Sequence, residues 1–581
     1  MTGEIRGIGV SPGVAIGPAV VVLRESRPLV RLRLPAEAVE AETERFLRAV
    51  EASRVQLAGI KDRLARDVGS AHAYIFDAHL LMLDDPLFRA RALAVVREEH
   101  VNAEWALRTV ADELHERFAR LADDYFRERG TDLDDVVGRV LLNLGGAGDA
   151  PSLTRLPGSF VLVAGGLAPS EAAELDWERV LAVATDEGSA TYHTSILARS
   201  FGVPAVVGLR DATRRIAPGA TVVVDGTHGL VVVEPSAPAL AGFRADRERE
   251  RAEDERLQSL RTLPAVTRDG RTVVLRANVE FPDDAEAARE HGAEGIGLFR
   301  SEYLLGRARD WPSEERQLEV YARLAEQVAP HPVTVRTWDV GLADLALGGP
   351  SCANPALGER ALRLLPRAPD AFHRQLRALL RAALQGPLRV LFPFVSGPSD
   401  LRLAESLLAA ARDSLAAEGI DHAPHVDLGL NLEVPSAALT ADLLARGADF
   451  FSIGTNDLVQ YLMAADRGDP RVAAHYQPLH PAVLRLLGQV VAAADHAGIP
   501  VSVCGQMAAD VLPALLLVGL GVRELSMNPA AIPRVKAAIR AVNAGELSAL
   551  ARTCRDLSTA EEIESTLRRA LAEVLAPAPV S

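Results

Sequence analysis

Asp449-Phe-Phe-Ser-Ile-Gly-Thr-Asn-Asp-Leu-Val-Gln-Tyr461 begins as a short apolar strand, breaks at Gly454-Thr-Asn456-Asp457 and continues with helical spacing. A strand buried on both faces reads as an uninterrupted apolar run, and a helix after it makes a βα unit. From Arg271 onward the pattern recurs. We read strands at Val273–Asn278, Gly295–Leu298, Val333–Thr337, Arg389–Phe394, Asp427–Glu433, Asp449–Ile453, Pro500–Cys504 and Glu524–Ser526, with helical stretches between them. Eight such units predict a TIM (β/α)8 barrel.

In a barrel of this kind the site lies where strands end and βα loops begin. Those ends are polar here. Strand two runs into Arg300-Ser-Glu302, strand three carries Arg336 and reaches Asp339, and strand five ends at Glu433. Strand six runs into Asn456 and Asp457, with Arg467 downstream, and strand seven ends at Cys504-Gly505-Gln506. Three arginines imply an anion with several oxygens, because the guanidinium fork matches phosphate and carboxylate. Glu433 and Asp457 are oxygen donors suited to a hard cation such as Mg²⁺. Together they suit charge stabilisation on a transferring phosphoryl group. A lone arginine is more often a structural ion pair, and a lone cysteine more often core filler, so the convergence carries the reading. Cys504 stands as nucleophile or proton donor.

Before the barrel the pattern changes twice. Residues 1–25 hold short strands with glycine punctuation, Gly7-Ile-Gly-Val-Ser-Pro-Gly13 and Val20-Val-Val-Leu23. Helical spacing runs over Ala36–Leu64, Gly69–Leu83, Leu87–His100 and Ala103–Phe126, with breaks near Asp84-Asp-Pro86 and Gly130-Thr-Asp132. Strand signals return at Phe160-Val-Leu-Val-Ala164, Val180-Leu-Ala-Val-Ala-Thr185 and Thr221-Val-Val-Val-Asp225. This predicts a multidomain α/β chain: an α/β domain over 1–30 and 146–235 with an all-helical insert at 31–145, a charged helix at 236–265, and the barrel at 266–581. The charged segment, Phe243 to Leu257, reads equally as a linker helix or as an exposed helix of the second domain.

In the α/β domain, Thr185-Asp-Glu-Gly188-Ser-Ala-Thr-Tyr-His193-Thr-Ser195 brings a glycine loop from a strand to a helix start. Free backbone N–H groups and the helix dipole stabilise anions there. A histidine so placed can accept a phosphoryl group on one ring nitrogen while the other is oriented by a hydrogen bond. By itself it reads more readily as a capping or core histidine, and the hydroxyls and glycine around it narrow that preference without reversing it.

The 581 residues call for several domains, and 48% apolar content gives each a core. The net charge of −15, without a Lys/Arg-rich run, argues against a nucleic-acid partner. Three widely spaced cysteines form no disulfide framework. No signal-peptide pattern and no apolar run of about 18 residues occur. A soluble cytoplasmic protein is the expectation.

Gly188-Ser-Ala-Thr-Tyr-His193 through Ala205-Val-Val-Gly208 resembles the phosphohistidine signature of phosphoenolpyruvate-utilising enzymes, and 449–461 resembles that family's second signature. With Gly7-Ile-Gly-Val-Ser-Pro-Gly13 and Ala78-His-Leu-Leu-Met-Leu-Asp-Asp-Pro86, the whole chain resembles the Enzyme I family of the bacterial sugar phosphotransferase system, the phosphoenolpyruvate-protein phosphotransferases. The resemblance implies that His193 is phosphorylated and that Cys504 protonates the enolate carbon to give pyruvate. It implies that Arg300, Arg336, Arg360, Asn456, Asp457 and Arg467 grip phosphoenolpyruvate, with Glu433 and Asp457 on Mg²⁺. It further implies docking of a histidine-containing phosphocarrier protein on the helical insert, a swivelling α/β domain, and a homodimer formed by the barrel.

Four positions depart from the family pattern: Asp344 in place of a lysine, Ala353 in place of an acid, Gln506 in place of a glutamate and Tyr192 in place of a serine. They are expected to change affinity or rate without abolishing activity. Two other readings remain: a pyruvate phosphate dikinase- or phosphoenolpyruvate synthase-like enzyme, and a weakly active regulatory homologue that binds the phosphocarrier.

Overall fold

The computed structural model describes residues 3–575 except 23–28, 68–74, 120–123, 146–157, 189–192, 306–310, 342–344, 346–353 and 470. The chain divides into two compact units, Met1–Ala252 and Glu253–Ser581.

The first unit is built on one sheet. Its strands are β1 (Gly3–Arg6), β2 (Ile8–Ser11), β3 (Val14–Val22), β4 (Phe160–Ala164), β5 (Val180–Thr185), β6 (Ala205–Val207), β7 (Thr221–Asp225) and β8 (Leu230–Val233), in the order β1-β8-β7-β3-β4-β5-β6-β2. Strands β3 and β4 are parallel neighbours, with Ala19 opposite Val161. A parallel pair needs a crossover, and this crossover contains the helical insert: α1 (Val39–Asp67), α2 (Ile75–Asp84), α3 (Pro86–Glu99), α4 (Ala103–Ala119) and α5 (Asp124–Leu144). The break expected near Gly130 does not occur, because α5 runs through it. One glycine costs a helix interior only about 1 kcal/mol, and the apolar face of α5, with Leu133, Val136, Val137 and Val140 buried, outweighs it.

Insert and sheet share a core. Phe46, Leu57, Phe76, Leu83 and Leu107 of the helices form one apolar cluster with Phe160, Leu162, Trp177 and Leu197. Arg139 pairs with Glu174 at 2.8 Å, and Asp135 accepts from the Ser170 backbone N–H at 2.9 Å, across the same seam. The glycines of the N-terminal motif are there because backbones cross closely. A Cβ on Gly9 would lie 2.1 Å from the Gly226 carbonyl oxygen, and one on Gly226 would lie 1.9 Å from that of Ser11.

The charged segment forms a single helix, Ala237–Ser259, with Glu253–Arg256 pairs at 2.7 and 2.6 Å along its exposed face.

The second unit is a closed barrel of eight parallel strands: β9 (Val274–Val279), β10 (Ile296–Arg300), β11 (Val333–Arg336), β12 (Leu388–Phe392), β13 (Asp427–Asn431), β14 (Phe450–Gly454), β15 (Val501–Cys504) and β16 (Glu524–Met527). Each overlaps its expected strand. The barrel closes where β16 pairs with β9, Glu524 opposite Val274. Beneath it the buried Lys536 donates to the carbonyls of Arg261 (2.8 Å) and Gly292 (3.0 Å), and Arg540 donates to that of Pro264 (2.7 Å). These side chains thereby satisfy carbonyls that lie outside the strands. No described helix is long and apolar enough to cross a membrane.

Candidate active site

The C-terminal ends of β10 to β15 deliver the expected rim residues. Arg336 closes β11, and its guanidinium meets Asp339 at 2.8 Å and Glu302 at 3.2 Å. Arg360 lays its fork on Asp339, Nε to Oδ1 at 2.9 Å and Nη2 to Oδ2 at 2.8 Å, and reaches Asp457 Oδ2 at 3.2 Å. Its plane also lies over the Phe394 ring at 4.7 Å, and Tyr461 Oη accepts from its Nη1 at 3.2 Å. Arg467 meets the other oxygen of Asp457 at 3.3 Å and is half-exposed.

Glu433 sits two residues past β13 and is buried. It accepts from the Phe394 backbone N–H at 2.7 Å and from the Asn431 side-chain amide at 2.6 Å. Phe394 adopts φ +56° to present that N–H, a left-handed conformation costly for a bulky residue. Burial, then the nearby charge of Asp339, push the Glu433 carboxyl up to about 8. Burial also lifts Asp339, but Arg336 and Arg360 outweigh it and hold that carboxyl below its ordinary value.

Asp339, Glu433 and Asp457 each offer an oxygen within 4.8 Å of the others. An all-carboxylate set fits a hard divalent cation, with substrate oxygens and waters for the remaining positions. Glycine leaves room for it: a Cβ on Gly454 would stand 2.8 Å from Glu433 Oε2.

Cys504 ends β15, buried against Leu298, Leu391 and Phe450. Burial raises its thiol above the ordinary value, so the proton is retained. Ser452 Oγ donates to its sulfur at 3.3 Å, and the thiol faces Asn431 Oδ1 at 3.9 Å. The Asn431 amide N–H₂ is committed to Glu433, so its oxygen is the atom left for the thiol.

The remaining expected residues are spread more widely. Arg300 pairs with Glu280 and is half-exposed, yet its charge is felt at Asp339 and Cys504. Asn456 is turned toward Gln506, whose backbone N–H donates to Asn456 Oδ1 at 3.0 Å. Gln506, one of the four departures, donates its side chain to Asp510 at 3.1 Å. Asp344, Ala353 and Tyr192 lie outside the described residues. His193 is the first residue of the helix His193–Ser200 in the first unit, as its signature implies.

Under the rim lies a network with no signal in the sequence. Gln375 accepts from the Trp338 backbone N–H at 3.0 Å and donates to Ser301 Oγ at 3.0 Å and Tyr321 Oη at 3.1 Å. Ser301 Oγ donates to the Arg336 carbonyl at 2.8 Å. Gln375, Ser301 and Tyr321 are all fully buried. The network ties the loop after β10 to the loop after β11, which holds the Arg336 backbone still.

The comparisons agree with this anatomy. Residues 6–129 match the PEP-utilising enzyme N-terminal family, 156–229 the PEP-utilising enzyme mobile domain, and 254–544 the PEP-utilising enzyme PEP-binding domain. The phosphoenolpyruvate-protein phosphotransferase of Staphylococcus carnosus (strain TM300) is 39% identical over 570 residues, covering 97% of this chain and 98% of the relative. The protein of that name from Bacillus sp. (strain S) is also 39% identical over 570 residues, with the same coverage. A solution structure of an Enzyme I protein covers 42% of this chain and 99% of its own, with 33% identity and a TM-score of 0.38. With near-complete coverage in both directions and all three domains matched in order, the chain belongs to the phosphoenolpyruvate-protein phosphotransferase family of PEP-utilising enzymes.

Proposed function

We propose that this enzyme transfers the phosphoryl group of phosphoenolpyruvate to its own His193, releases pyruvate, and passes the group to a histidine of a phosphocarrier protein, the first step of sugar uptake by a phosphotransferase system. The observation that carries this reading is the convergence of Arg336, Arg360, Asp339, Glu433 and Asp457 on one barrel rim.

In this reading Arg300, Arg336, Arg360 and Arg467 bind the phosphate and carboxylate oxygens, and Asn456 with the Asp457 backbone fixes the orientation. Glu433 and Asp457 hold Mg²⁺, which when bound neutralises charge on the phosphate oxygens. A His193 ring nitrogen attacks phosphorus, the N–P bond forms, and the bond from phosphorus to the enol oxygen breaks. The enolate closes to a carbonyl as its methylene carbon takes the proton of Cys504. Burial keeps that thiol protonated until the enolate arrives. The helical insert receives the phosphocarrier, and the barrel dimerises.

The test is incubation with phosphoenolpyruvate and Mg²⁺, without ATP, following pyruvate and acid-labile phosphate on the protein. Stoichiometric pyruvate, with label lost in His193→Ala, is the expected result. Folded protein that takes no label refutes the reading and favours a regulatory homologue.

A further inference from the structure

Asp339 is claimed by both arginines. Its side chain is 2% exposed. Oδ1 accepts Arg360 Nε at 2.9 Å, and Oδ2 accepts Arg360 Nη2 at 2.8 Å and lies 2.8 Å from Arg336 Nη1. Its backbone N–H donates to Glu302 Oε1 at 2.9 Å. Arg336 comes from the end of β11, whereas Arg360 precedes the short helical turn Ala361–Leu364, so one carboxylate joins guanidinium groups from separate segments.

The same carboxylate is one of the three whose oxygens lie within 4.8 Å of one another. Two roles therefore compete for it: third ligand of a cation, or anchor for the arginines. Both oxygens already face a guanidinium at an ordinary charge-assisted distance, and a cation brought to them meets like charge from two directions. Glu433 differs, since its two bonds come from neutral donors, a backbone N–H and an amide. Asp457 meets its arginines at the longer distances of 3.2 and 3.3 Å.

We propose that Asp339 is a positioning residue that fixes the Arg336 and Arg360 forks for the substrate's acid oxygens, and that it is not a ligand of the cation. The proposal rests on the functional reading above for the identity of the substrate. It divides the labour of the three carboxylates: Glu433 and Asp457 serve the metal, and Asp339 serves the arginines.

The full-length chain and its Asp339→Asn and Asp339→Glu variants separate the two roles. Calorimetric titration with Mn²⁺ alone reads the cation site, and the KM for phosphoenolpyruvate and kcat for pyruvate release read the arginines. The expected result for Asp339→Asn is a KM raised about a hundredfold, with Mn²⁺ affinity within about threefold of the parent. Asp339→Glu, which keeps the charge and decides the matter where the Asn variant does not fold, shifts KM by a smaller factor and again leaves Mn²⁺ affinity alone. A loss of Mn²⁺ affinity of about tenfold or more in a folded variant overturns the proposal in favour of ligation, and an unchanged KM overturns positioning. A parent chain that binds Mn²⁺ but never turns over phosphoenolpyruvate defeats the functional reading instead, and the variant's Mn²⁺ titration still decides whether Asp339 is a ligand.

Discussion

Both ends of the barrel gather arginines and carboxylates, with different results. At the floor, Arg276 meets Glu524 at 3.0 Å and donates to the Glu294 carbonyl at 3.2 Å. Arg389 lies 3.5 Å from Glu524 and 3.4 Å from Asp427, and stands over the Phe450 ring at 5.3 Å. Both arginines are paired there with acids, so neither guanidinium is left unmatched. At the rim, Arg336 and Arg360, with the half-exposed Arg467 on Asp457, face four acids, Glu302, Asp339, Glu433 and Asp457. Arg336 Nε is buried there without a hydrogen-bond partner among the described residues. Balanced charge fastens strands together; an excess of acid over buried arginine, with a guanidinium N–H left unmatched, invites a cation and an anionic substrate.

The sharpest way to break this comparison is to remove one arginine from each end. Arg336→Met is expected to lower kcat/KM for phosphoenolpyruvate about a thousandfold, since in the proposed mechanism the lost fork holds the substrate at its most charged stage. Arg276→Met is expected to leave kcat/KM nearly unchanged while costing about 3 kcal/mol in denaturant unfolding, because Glu524 loses its nearest buried counter-charge. A floor variant that loses activity at full stability would erase the distinction.

Next in size is a pH effect confined to the rim. The Glu433 carboxyl, pushed up to about 8 by burial, keeps its proton in the metal-free folded chain while the unfolded chain ionises near 4.5. The folded state then binds more protons, so this group's contribution to stability falls as pH rises from about 4.5 to about 8. Thermal melts of the metal-free protein should show that downward slope. It should be absent in Glu433→Gln, and saturating divalent cation should flatten it, because the metal displaces the proton.

The smallest effect belongs to the support beneath the rim. Gln375→Leu removes bonds to Trp338, Ser301 and Tyr321 and should lower kcat/KM about tenfold, with KM for phosphoenolpyruvate moving more than Mn²⁺ affinity. An unchanged KM would mean that strand pairing alone fixes Arg336.

The barrel was legible because its strands are largely buried and mostly apolar, as in Phe450–Gly454, where all five residues are buried and only Ser452 is polar. Arg300, Arg336, Glu433, Asn456, Asp457 and Cys504 were legible because each stands at or just beyond a strand end, whereas Arg360 lies far past β11 and was legible only through the family resemblance. Strand β6 has only three residues, too few for a pattern to appear, and β8 completes a hairpin with β7 that the turn at 226–229 signals only weakly. Gln375 lies in the helix Pro369–Ala382, where nothing in its neighbours marks the polar contact it makes across the fold. Asp339 was visible as a rim residue, but its hold on Arg360 depends on how the intervening chain returns, which spacing does not encode.

Barrel closure has a consequence for biosynthesis. The first barrel strand finds one of its two neighbours only in the last, Val274 against Glu524, and the Lys536 clasp on Arg261 comes later still. The unit ending at Ala252 is complete in sequence before any of this emerges from the ribosome. On a translating ribosome the chain therefore carries a finished first unit and an open sheet with a bare edge at Val274–Val279. That edge is one place where the nascent chain is exposed to aggregation, and its exposure ends only when the final strand is released.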